Sequence, residues 1–75
     1  MKVEIFYCTA WNYLPRASRV EEEIRESFPR ANIKLVESNG GDFRVIVDEK
    51  TIYDKSETNT FPKIFEVTNI IKSID

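Results

Sequence analysis

A chain that alternates every second residue, then steps by three and four, then alternates again is committed to one piece of architecture. Lys2–Tyr7 (KVEIFY) sets Val3, Ile5 and Tyr7 on one face and Glu4 and Phe6 on the other, the period-2 pattern of a strand. Ala17, Val20, Ile24 and Phe28 then recur at helical spacing, and Arg19, Glu21, Glu22, Glu23, Arg25 and Glu26 fill the opposite side, which makes an amphipathic helix. Asn32–Ser38 (NIKLVES) alternates again, with Ile33, Leu35 and Glu37 against Lys34 and Val36. Two strands joined through one helix run parallel with a right-handed crossover, and the apolar stripe of the helix needs a sheet face to cover. Phe6 makes the second face of the first strand partly apolar, so that strand is expected at the centre of the sheet and covered on both sides.

The helix start has two readings. Proline is tolerated in the first turn, where its missing N–H has no intrahelical acceptor. Asn12 as N-cap puts Pro15 there, whereas Thr9 as N-cap puts it inside the helix with a kink. Either leaves Cys8 near the positive end of the helix, and Pro29 ends it. Gly40 and Gly41, flanked by Asn39 and Asp42, mark a tight connection that needs positive φ. They lie between strands rather than before a helix, so a turn is expected and not a phosphate-cradling loop. Phe43, Val45 and Val47 alternate with Arg44 and Ile46, and a short strand around Thr51–Tyr53 completes a hairpin. The polar stretch DKSETNT is expected as loop. A second helix opens at Phe61-Pro62, with Phe61, Ile64, Phe65, Val67, Thr68, Ile71 and Ile74 near one side. The order β-α-β-β-β-α describes one domain over residues 1–75, an α/β sandwich of two layers.

Composition narrows the function classes. The 75 residues include 11 basic and 13 acidic side chains, for a net charge of −2, a poor balance for gripping a phosphate backbone. No nucleic-acid partner is expected. The N-terminus MKVEIF lacks the apolar core of a signal peptide, and no apolar run approaches the roughly 20 residues that span a bilayer. A cytoplasmic protein without membrane contact is therefore expected. There is no histidine and one cysteine, which leaves too few soft ligands for structural zinc, and no metal is expected.

FYCTAWNYLPRA after the first strand, GGDFRVIVDEKTIYD across the hairpin and FPKIFEV opening the last helix together resemble the selenoprotein W-like family, also called Rdx. The resemblance spans nearly the whole chain in order and spacing. It implies a compact thioredoxin-like fold with a four-stranded mixed sheet in the order 2-1-3-4 and both helices on one face. Members of that family carry Cys-x-x-Cys or Cys-x-x-selenocysteine between the first strand and first helix and act as thiol oxidoreductases. The resemblance therefore marks Cys8 as the catalytic position, with Thr9, Ala10 and Trp11 completing the motif. Here the second redox position is Trp11, and Thr60 stands where relatives often have glycine before Phe-Pro.

Two functions follow from that substitution. A thiol attacks a disulfide as thiolate, a form favoured by a helix N-terminus or by neighbouring positive charge such as Arg16 and Arg19. One cysteine cannot release its own mixed disulfide by internal attack. A redox role is thus monothiol: Cys8 pairs with glutathione or a protein thiol, and a second thiol from outside resolves the pair. Glutathione would be a co-substrate, and no resident cofactor is expected. The alternative is a non-catalytic binding module in which Trp11, with Tyr7 and Tyr13, offers an aromatic rim to a protein partner. Cys8 would then be a small buried hydrophobe at the end of a strand. Glu21–Glu23 reads as a solvated face with favourable Arg19/Glu23 and Glu21/Arg25 pairs. Oligomeric state is open.

Overall fold

The structure is a computed structural model and describes residues 1–74; Asp75, the last residue of the expected domain, lies outside them. In chain order the elements are β1 (Lys2–Cys8), α1 (Leu14–Ser27), β2 (Asn32–Ser38), β3 (Phe43–Val47), β4 (Lys50–Asp54), α2 (Lys55–Thr58) and α3 (Glu66–Ile74). One mixed sheet runs in the order β2-β1-β3-β4. β1 is parallel to β2 and antiparallel to β3, and β3 is antiparallel to β4. No helix among the described residues is long and apolar enough to cross a membrane.

Register puts the odd residues of β1 at the centre of the dry face. Ile5 stands opposite Leu35 on one side and Val45 on the other, and Tyr7 stands opposite Phe43. Val3, Ile5, Phe43, Val45, Val47 and Tyr53 are buried in one cluster with Ala17, Val20 and Ile24 of α1 and Val67 and Ile71 of α3. Both long helices therefore pack on the same face, which makes two layers. A register shift between Val45 and Ile46 leaves Ile52 without a partner in the β3–β4 ladder. This is the geometry of a bulge, and it lets Ile52 and Tyr53 both reach the core. The hairpin turns on Asp48 and Glu49, which have φ of 47° and 73°, the two left-handed residues a two-residue hairpin requires. Asp48 also fastens the start of β1, because its carboxylate accepts the Lys2 N–H at 2.9 Å.

The expected coverage of β1 on both sides does not occur. On the second face Phe6, Val36 and Ile46 are only half-buried and lie outside the cluster that the two long helices cover. Phe6 is shielded instead by the Arg44 guanidinium, 4.5 Å from its ring centroid, a case of a long charged side chain laid over apolar surface.

The helix ends also differ from expectation. Neither Asn12 nor Thr9 caps α1: the N-cap is Tyr13, without a side-chain cap, and Pro15 lies in the first turn. Asn12 instead takes φ 59°, a left-handed turn position that asparagine tolerates. The stretch expected as polar loop contains the short helix α2. Asp54 caps it, accepting the Ser56 N–H at 2.9 Å and the Ser56 hydroxyl at 2.7 Å. The last helix begins at Glu66 rather than at Phe61-Pro62, since Phe65 has φ 60° and cannot continue an α-helix backwards. Ile64 is consequently 72% exposed and Phe65 partly so, and Ile74 is also exposed. Val67, Thr68 and Ile71 are the buried residues of α3.

The Thr68 hydroxyl is buried without a hydrogen-bond partner, and an unpaired buried polar group costs about 1–3 kcal/mol. Thr68→Val keeps the shape and removes the hydroxyl. Urea unfolding of this variant is expected to show a gain of about 0.5–1.5 kcal/mol.

Candidate functional site

The site grows from the end of β1. Cys8 is the last residue of the strand, opposite Ser38 of β2, and is completely buried. The next four residues fold into a closed turn. Thr9 donates its N–H to the Ser38 carbonyl at 3.3 Å, Asn12 donates to the Thr9 carbonyl at 3.0 Å, and Tyr13 donates back to the Cys8 carbonyl at 3.1 Å. Thr9, Ala10, Trp11 and Asn12 are all exposed. Arg16 and Arg19 are engaged with the chain around Phe61, Pro62 and Glu23.

Trp11 is 60% exposed on one side and seated on Gly41 on the other. A β-carbon at Gly41 would lie 2.5 Å from the indole ring, and Gly41 also holds φ 76°. The expected positive φ of the glycine pair is present at both positions, and at Gly41 the absence of a side chain is what lets the indole settle. The β2–β3 turn beneath is pinned by Asp42. Its carboxylate accepts from the Ser38 hydroxyl at 2.7 Å and from Arg44 Nε and Nη2 at 2.8 and 3.0 Å. Burial alone would push the Asp42 carboxyl up; the Arg44 and Ser38 hydrogen bonds and the Arg44 charge outweigh it and hold its pKa below the ordinary value. The same hydrogen bond raises the Arg44 pKa above its usual value, against the effect of burial.

From Trp11 a row of rings leads inward. Trp11 and Tyr13 meet edge to face with centroids 6.0 Å apart, Tyr13 and Phe61 at 4.7 Å, and Phe61 and Phe43 at 5.4 Å, the arrangement aromatic quadrupoles prefer. Tyr7, expected in the rim, is not there: its position opposite Phe43 buries it in the core.

The loop that carries Phe61 is held to α1 by a polar clamp. Arg19 Nη2 donates to the Pro62 carbonyl at 2.7 Å, Phe65 donates its N–H to Glu23 Oε1 at 3.0 Å, and Arg19 Nε lies 3.4 Å from Glu23 Oε2. Glu23 is therefore buried and not part of a solvated face. Its spacing from Arg19 predicted the pair, but its bond to Phe65 spans 42 residues and no local pattern announces it. The Glu21/Arg25 pair is present at 2.8 Å on the exposed side.

A family model described as the Rdx family matches residues 2–73. The chain belongs to the Rdx family. The fold agrees with that assignment. A crystal structure of a selenoprotein W-related protein from Vibrio cholerae superposes with a TM-score of 0.90 at 20% identity, covering 97% of this chain and 94% of that one. A crystal structure from Bordetella parapertussis gives 0.92 at 24% identity, covering 99% and 96%. No curated protein matches the sequence. Within this Rdx domain, the strand–turn–helix junction of the expected motif is formed by Cys8, Thr9, Ala10 and Trp11, with the thiol inside and the indole outside.

Gly41→Ala must displace the indole and strain a left-handed backbone. It is expected to cost about 1–3 kcal/mol, with a changed Trp11 fluorescence maximum; unchanged stability and emission would contradict the seating of Trp11 on Gly41. Because the Asp42 pKa is lowered on folding, its contribution is present above its unfolded value of about 3.9 and is lost as pH falls through the folded value. Asp42→Asn is thus expected to be less stable than wild type at neutral pH, with the difference shrinking below about pH 4 in urea unfolding series.

Proposed function

We propose that this Rdx domain is a protein-binding module that retains the fold and has given up the redox pair. One observation carries this reading: the thiol at the first motif position is completely buried, whereas the residue at the second, Trp11, presents 60% of its surface. Disulfide exchange needs an approachable sulfur, and a lone thiol has no internal resolving partner. A large aromatic on a rigid seat has the properties of an interface anchor, with much contact area and few torsions to order. The partner is a protein held at Trp11, Tyr13 and the neighbouring loop, without a cofactor. The working compartment is the cytoplasm, where a single cysteine stays reduced.

The monothiol reading keeps support from the family's Cys-x-x-Cys/Sec pattern and from the position of Cys8 directly before an exposed turn. Opening of Thr9–Asn12 would admit a disulfide. The Cys8 thiolate would attack one sulfur of oxidised glutathione, expelling one glutathione thiolate and leaving a mixed disulfide for an outside thiol to reduce.

Alkylation of Cys8 followed by intact mass, native and in denaturant, separates the two. Protection in the native chain and rapid labelling on unfolding are expected. Covalent capture of a partner through a crosslinker should be lost in Trp11→Ala and kept in Cys8→Ser. Fast native labelling with an inflection well below the roughly 8.5 of a free thiol, or capture lost only in Cys8→Ser, would favour monothiol chemistry.

A further inference from the structure

The ring row holds two cations that take part in no ion pair among the described residues. The Arg16 guanidinium lies 4.3 Å from the centroid of Phe61, and the Lys55 ammonium lies 5.3 Å from the same centroid and 5.7 Å from that of Tyr13. Among the described residues the ion pairs are Arg19–Glu23, Arg25–Glu21 and Arg44–Asp42, and neither Arg16 nor Lys55 takes part. Sharing one ring keeps the two charges within about one Debye length, roughly 10 Å at 0.1 M salt. The first turn of α1, which contains Arg16, has no acidic residue. Lys55 has acidic neighbours in Asp54 and Glu57, but the Asp54 carboxylate is taken up by the Ser56 N–H and hydroxyl.

We infer that this surface takes an acidic peptide segment of a partner protein, with an aromatic or leucine side chain against Trp11 and carboxylates on Arg16 and Lys55. The inference rests on the binding-module reading and adds the chemistry of the partner. Trp11 and Leu14 are exposed on either side of Tyr13 in the chain, so apolar contact area and the cationic pair occur together. The rings hold both cations in place through their quadrupoles, which reduces the ordering cost of binding. Single-stranded nucleic acid would also find rings and cations, but its affinity comes from many neutralised phosphates. Two cations on an acidic chain favour the peptide.

The test is an NMR titration of the isotope-labelled full chain with three probes: a short synthetic peptide with glutamates flanking Phe-Leu, the same peptide with lysines in their place, and oligothymidylate. The glutamate peptide should shift the Trp11 indole N–H and the amides of Arg16 and Lys55, and the lysine peptide should not. Arg16→Glu with Lys55→Glu should weaken binding about tenfold or more. Arg16→Gln, which leaves the ring uncovered without reversing charge, should weaken it less and provides the control if the double variant does not fold. Equal shifts with the lysine peptide would overturn the acidic assignment while leaving Trp11 as a binding surface. No shift with the glutamate peptide at millimolar concentration would overturn it as well, and partner capture dependent on Trp11 would show whether the underlying reading also fails. Tighter binding of oligothymidylate than of the glutamate peptide would assign the surface to nucleic acid and overturn the proposal.

Discussion

β1 is paired along both edges, to β2 and to β3; among its even residues only Cys8, at the strand's end, is buried, and its odd residues form the dry face. Val3 and Ile5 are fully buried there beneath α1 and α3, and burying an aliphatic side chain of this kind contributes about 1.5–3 kcal/mol. An exposed helical pair such as Arg25–Glu21 contributes about 0.3–0.5 kcal/mol. In a chain of 75 residues the central strand therefore outweighs the surface charges. Its direction also decides where function can sit, because the turn that leaves Cys8 emerges beside the β2–β3 turn and opposite the loop before α3.

Those connections are loops held by a rigid scaffold, where binding groups are usually found. Each is tied down by a different interaction. The turn after β1 is closed by backbone bonds from Thr9 and Tyr13. The β2–β3 turn is fixed by the Asp42–Arg44 fork and accepts the indole at Gly41. The loop before α3 is drawn onto α1 by Arg19 and Glu23, which places Phe61 against Tyr13. Trp11 is thus fixed on one side and open on the other. The thiol three residues before it is enclosed, so the two ends of the Cys8–Trp11 stretch differ sharply in accessibility.

Strands were legible because their pattern is local and repeated: β2 starts and ends where NIKLVES does, and the glycine pair carries the positive φ its composition required. The stripe Phe61, Ile64 and Phe65 fits helical spacing just as well, yet a left-handed Phe65 and a carboxylate from α1 keep it out of the helix. α2 had a readable signal in Asp54 and Glu57 three residues later, the capping-box spacing, inside a segment that reads as loop by polarity alone. The place of Cys8–Trp11 at a strand-to-helix junction was legible in the sequence, whereas the burial of Cys8, Glu23 and Tyr7 depends on contacts between distant segments.

Equilibration of the native chain in a glutathione redox buffer, followed by native mass spectrometry, tests most directly whether Cys8 is packing or chemistry. With Cys8 enclosed as the structure has it, the expected spectrum contains the unmodified chain throughout, with a glutathione adduct only after unfolding. A stoichiometric adduct on a chain that keeps its native charge-state distribution would contradict the assignment and return the domain to monothiol redox chemistry.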